Sequence, residues 1–141
     1  MFMKKICAFI AVLFFVTASV GFAQGKYDEL MEYNEQFIQM TQNYIDSINT
    51  AESSDAVAKA MNQYTRTFSQ IVPKMKALTK KYPELLTETD LPEKVRISQE
   101  KAEKLGSDLA ASFMKAMQYM DDPKVVQAQE KMSEMMESLE Q

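Results

Sequence analysis

Between Ser54 and Tyr82 the apolar residues fall into two heptad rows, Val57, Tyr64, Ile71 and Leu78, and Met61, Phe68, Met75 and Tyr82. Rows seven apart and offset by four merge into one continuous stripe on a helix. Such a helix is roughly 40 Å long at about 1.5 Å per residue, and it cannot bury its stripe alone. It needs partners of similar length, and the flanking segments carry the same periodicity.

Upstream, from Tyr27, the row Tyr27, Asn34, Thr41 and Ile48 runs beside Leu30, Phe37 and Tyr44, with Met31, Ile38 and Ile45 on the next row. The pattern predicts an amphipathic first helix with Asn34 and Thr41 on its buried side, at the stripe's edge or hydrogen-bonded within the bundle. The short polar stretch Asn49 to Ser54 then places the first two helices side by side and antiparallel, with Ser53 or Ser54 accepting from the free amides that open the second. Pro73 lies inside that second helix; it cannot donate to the Ser69 carbonyl, so a kink is expected near Ile71 to Lys74, with the stripe continuing in phase beyond it. Lys74, Lys76, Lys80 and Lys81 complement the helix's C-terminal end.

Pro83 closes the second helix, and Glu84 to Thr89 forms the longest connection, with Leu85 and Leu86 expected to cap the end of the core. Asp90-Leu91-Pro92-Glu93 reads as a capped helix start. The third helix carries Val95, Ala102, Leu105, Leu109, Phe113, Ala116 and Met120 on its stripe. Gly106 and the alanines make that face small, which predicts close approach of a neighbouring backbone, inside the bundle or between two copies of the chain. Asp122 and Pro123 restart the chain as N-cap and first helical residue. The fourth helix packs Val125, Ala128, Met132, Met135, Met136 and Leu139, and repeats glutamate outward at Glu130, Glu134, Glu137 and Glu140 as a solvated face. The sum is an all-α, up-down-up-down antiparallel four-helix bundle, its second helix kinked at Pro73 and its fourth the shortest. Neither a strand pattern nor an internal repeat competes with it.

The N-terminus changes the picture of where this bundle works. Met1-Phe2-Met3-Lys4-Lys5, the apolar run Ile6 to Val16 and the ending Gly21-Phe22-Ala23 match a secretory signal peptide over 1–23. Its apolar core is too short to span a bilayer comfortably. Cys7 sits inside that core, away from a small-residue cleavage motif, which argues against a lipoprotein. The expected product is a secreted or periplasmic single domain over 24–141, without stable membrane insertion after cleavage. Losing Lys4 and Lys5 takes the net charge from −4 to −6. An acidic chain without a basic face disfavours nucleic acid and anionic membranes as partners. No cysteine follows Cys7, so stability must come from packing.

The chain also has no histidine and no tryptophan. That removes the usual general base, the usual metal ligand and the near-neutral pH switch together, and argues against an enzyme and against a resident cofactor. Di-iron bundles need Glu-x-x-His pairs, which are lacking. Exported all-helical chorismate mutases clamp a dicarboxylate with arginines and lysines, but this chain offers only Arg66 and Arg96.

Methionine is the unusual abundance, twelve in all. Most fall on stripes, where methionine fills irregular gaps. Met40, Met114 and Met117 fall off them and predict an exposed soft surface. Met114, Met117 and Met120, at i, i+3 and i+6, could offer thioethers to Cu(I) or Ag(I). The same residues could form an adaptable groove for apolar segments of a protein client, as in a holdase. In layout, export and size the chain resembles the periplasmic haem-binding four-helix cytochromes, b-type and c′-type. The stretch Ile48-Asn49-Thr50-Ala51 through Ala60-Met61 is similar in pattern to the first interhelix turn of the b-type members. The resemblance implies iron held by an early methionine and a late histidine; Met31 is early, Ile38 aligns nearer the ligand position, and the histidine and the Cys-x-x-Cys-His attachment are absent. A two-methionine haem would draw on Met31 with Met135 or Met136. The expectation carried forward is non-catalytic binding of a protein or small-molecule ligand, with a soft-metal or haem site as the alternative.

Overall fold

The computed structural model describes residues 28–81 and 93–139. Four helices account for nearly all of them: α1 (Asp28–Thr50), α2 (Ser54–Lys81), α3 (Glu93–Met117) and α4 (Pro123–Leu139). The expected signal peptide, Tyr27 and the expected connection from Glu84 to Asp90 lie outside the described residues. Among those described there is no strand, and no helix is long and apolar enough to cross a membrane.

α2 forms where its stripe and its ends agree. Ser53 is the cap: its hydroxyl accepts from the Ala56 amide at 3.3 Å, Asp55 lies in the first turn, and Lys80 and Lys81 occupy the last. The helix runs through Pro73 without a break. Ile71 and Val72 before it and Met75 and Leu78 after it are all buried, so the stripe keeps its phase. α4 starts as its sequence requires, with Asp122 Oδ1 accepting from the Lys124 amide at 2.9 Å and Pro123 at the first helical position. It is the shortest helix, 17 residues against 28 for α2.

The bundle is up-down-up-down, the chain reversing at each connection. Contacts near helix ends fix the register. Asn34, two turns into α1, donates to Ser98 Oγ at the start of α3, and Lys115 Nζ, near the end of α3, donates to the Asn49 carbonyl at 2.6 Å near the end of α1. α1 and α3 therefore run the same way. α2 and α4 do too, tied at their starts by the Ser54 hydroxyl donating to Asp122 Oδ2 at 2.6 Å and by the Lys124–Asp55 ion pair. The main packing pairs are α1 with α2, α1 with α3, and α2 with α4. Among the described residues neither α2 with α3 nor α3 with α4 is one of them, although each pair is consecutive in the chain.

An aromatic ladder crosses the core from α1 and α2 to α3. Phe37 meets Phe68 edge-on at 5.9 Å, Phe68 meets Tyr64 at 5.7 Å, Tyr64 meets Tyr44 at 4.8 Å, and Tyr44 meets Phe113 at 5.3 Å. α4 adds no ring and fills its side with Val125, Ala128, Met132 and Met136. Flexible methionine suits the irregular space that the rings leave.

Four expectations need correction. Met40 is buried, because α1 packs on two neighbours and so buries a wider arc than one stripe. Thr41 is buried without a hydrogen-bond partner, whereas Asn34 is half-buried and bonded across to α3. A Cβ built on Gly106 would meet nothing within 4 Å among the described residues, so no described backbone of the same chain makes the close approach expected inside the bundle. Met120 lies past the end of α3, in the turn before α4, and is half-buried against the core. The side chains of Val95, Arg96, Ala102 and Leu139 lie outside those described.

Candidate functional site

The flank that α3 turns toward α4 follows from the contacts on its other side. Lys115 reaches Asn49, and the Tyr119 hydroxyl, in the turn beyond α3, donates to the Ala51 carbonyl at 3.4 Å, which marks the α1 side. At about 100° per residue the opposite flank carries Gly106, Ala110 and Met117, with Met114 beside them facing outward. Met114 is 60% exposed and Met117 57%, the two most exposed large apolar side chains among the described residues. Gly106 and Ala110 are only half-buried. On α4, the Lys124–Asp55 pair marks the α2 side. The flank turned toward α3 carries Val126 and Ser133, both half-buried.

α3 and α4 are not a main packing pair among the described residues, yet Phe113 and Ala116 of α3 and Val125, Ala128 and Met132 of α4 belong to one core. The sequence placed Met114 and Met117 on an exposed surface, and they are there.

A second feature is a cleft of about 70 Å³ between α1 and α2, lined by residues that include Met40, Asn43, Tyr44, Gln63, Tyr64 and Thr67. Sites for organic ligands run to about 300 Å³ or more, so this one has room only for water or something comparably small. Below it lies a group of buried hydroxyls. Burial, and secondarily the neighbouring Tyr64, pushes the Tyr44 phenol well above its ordinary value. Burial does the same to Tyr64, with Thr41 pulling weakly the other way although it makes no hydrogen bond of ordinary geometry. Both phenols are neutral and inert at any physiological pH.

The polar knot at the other end is structural. Asp122 is held below the usual carboxylate range by the Ser54 hydroxyl, then by the Lys124 amide and the Lys124 charge. Lys124 is raised by Asp55, through a hydrogen bond and then its charge. Among the described residues no group of three or more carboxylates could hold a metal ion. The three methionines of the soft-metal expectation are split between helix and turn, Met114 and Met117 exposed and Met120 half-buried. Of the residues named for a haem, Met31 and Met135 are half-buried, Ile38 packs on the core and Met136 is inside it, and α1 and α4 are not a main packing pair among the described residues. Arg66 is exposed.

These features define an all-α four-helix bundle that exposes two neighbouring methionines on α3. No protein-family model, curated protein or solved structure matches the chain. The likeness to the haem cytochromes is therefore one of four-helix layout.

Proposed function

We propose that this is an exported, non-catalytic binding protein that takes up an apolar stretch of another polypeptide on the face of α3 that carries Met114 and Met117. The observation that carries the reading is the pair Met114 and Met117, exposed side by side next to the small, half-buried Gly106 and Ala110. Unbranched thioethers adapt to varied apolar partners, and small neighbours let a partner backbone approach. Export rests on the N-terminal pattern, and the non-catalytic reading on a chain without histidine or a cysteine beyond Cys7.

The test places an environment-sensitive fluorophore on Ser107→Cys, an exposed position two turns before Met114 on the same helix, and titrates an uncharged amphipathic helical peptide. A saturable signal that weakens in Met114→Ser/Met117→Ser supports the reading. No saturable signal, or one that the double variant leaves unchanged, ends it.

A second reading, soft-metal binding, is favoured by the accessibility of the same two sulfurs. Native mass spectrometry of the chain with Cu(I) or Ag(I) should then show stoichiometric metal that Met114→Ala/Met117→Ala releases. An apo mass under those conditions eliminates it.

A further inference from the structure

Beyond Met3 the chain's methionines fall into three groups by burial. Met40, Met61, Met75, Met132 and Met136 are inside the core. Met31, Met120 and Met135 are half-buried, the last two packed against that core. Met114 and Met117 stand apart, each more than half exposed and one turn from the other on α3. A peroxide attacks thiols first where there are any, but this chain has no cysteine after Cys7, which leaves the thioethers as its readiest sulfur. Oxygen transfer needs the oxidant in contact with that sulfur, so access sets the order of reaction. Burial also decides what the product does to the fold. A sulfoxide in the core would place a polar oxygen among apolar side chains, whereas on Met114 and Met117 water meets the new oxygen and the packing is left alone.

From this we infer that Met114 and Met117 form a reversible oxidation site, the first part of the folded chain to react with a peroxide. Each sulfur bonds one peroxide oxygen through a lone pair as the O–O bond breaks. The sulfur is oxidised by two electrons, the peroxide is reduced by two, and its second oxygen leaves with both protons as water. A thiol-dependent sulfoxide reductase reverses the change: two thiols become a disulfide and the oxygen leaves as water. The product is a folded protein whose exposed methionine pair has turned from apolar to polar. The consequence for binding rests on that pair being the docking face. A partner that gains by covering two thioethers gains little by covering two sulfoxides, so oxidation releases it.

The experiment treats the purified chain with hydrogen peroxide in steps, quenches with catalase and maps each methionine by peptide mass spectrometry. Met114 and Met117 should each take up one oxygen about tenfold faster than Met61, Met75 or Met132, and ahead of Met31, Met120 and Met135. Helical content and melting temperature should stay near those of the untreated chain while only these two have reacted. In Met114→Leu/Met117→Leu the fast phase of oxygen uptake should vanish. The uncharged amphipathic peptide, followed by calorimetry on unlabelled samples, should bind about tenfold more weakly after the fast phase and regain its affinity after reductase treatment. Core methionines that react as fast, a fast phase that survives in the leucine variant, or a fold lost as the two react would each overturn the site. Peptide affinity unmoved by oxidation overturns the release and leaves the oxidation site standing. An untreated chain that takes up no peptide ends the docking reading instead, and the order of oxidation and the retained fold then decide the site by themselves.

Discussion

Tyr44 is where the packing makes its sharpest energetic demand. Its ring touches Tyr64 on α2 and Phe113 on α3, yet its hydroxyl is buried without a hydrogen-bond partner in the protein. A buried, unpaired polar group costs about 1–3 kcal/mol, whereas removing it leaves the ring contacts intact. Tyr44→Phe should therefore stabilise the fold by about 1 kcal/mol, the remainder being offset by the small void where the oxygen was. For a domain of this size that raises the melting temperature by about 4 °C at neutral pH.

The same substitution carries a signature at alkaline pH. The folded-state values of Tyr44 and Tyr64 are both raised, mainly by burial, so above the ordinary phenol value of 10.0 the unfolded chain releases protons that the folded chain keeps. Their stabilisation is thus fully present below that value and is lost as pH climbs beyond it, each phenol steepening the fall by about 1.4 kcal/mol per pH unit. Tyr44→Phe should about halve this slope, Tyr64 staying raised by its own burial. Urea denaturation at neutral pH and at steps above pH 10 measures both effects, with tyrosinate absorbance reporting ionisation. Thr41, whose hydroxyl is also unpartnered, supplies the refutation. If Tyr44→Phe and Thr41→Val each destabilise by about 1 kcal/mol or more while the double variant is near wild type, the hydroxyls satisfy one another and the reasoning fails.

Three other outcomes follow from neighbouring features. Phe68→Ala, at a fully buried position in the ladder, should cost about 3–5 kcal/mol in urea denaturation; a loss under 1 kcal/mol would mean the core collapses around the void. Asp122→Ala should lower the melting temperature at neutral pH and flatten its acid limb. The depressed carboxyl contributes only while ionised, so its contribution is lost as pH falls through the folded-state value, and an unchanged acid limb would dismiss its tie to Ser54. Gly106→Ala should stabilise α3 by about 0.5–1 kcal/mol, because a helix-interior glycine is costly and the added Cβ meets nothing; destabilisation would mean a backbone does approach there.

What could be read in advance divides along a physical line. Helix existence and direction are local properties. The buried rows of α2, the caps at Ser53 and Asp122 and the reversals between helices all follow from residue spacing, so they stand as expected. Burial at the edge of a stripe depends on how many neighbours a helix has, which spacing along one chain segment does not encode. That is why Met40, on a helix with two neighbours, is inside, and why Ser98 and Ser112 are buried on α3, Ser112 satisfying itself by donating to the Asp108 carbonyl at 2.9 Å.

Neighbour choice also decides what lies beside the exposed methionines. In a ring that follows chain order, α3 would lie against α2 and α4, and its small flank would be covered from one side. Here α1 and α2 form the central pair, α3 docks on α1 and α4 on α2, so both outer helices spend their best apolar arcs on the central pair. Each is left with one flank of half-buried small or polar residues, and those flanks face each other. Large apolar residues there would draw α3 and α4 together; Gly106, Ala110 and Ser133 bury little surface and give little incentive to close. Met114 and Met117 stay exposed at the outer edge of that flank, and it is there that the proposed partner would gain most by covering apolar surface.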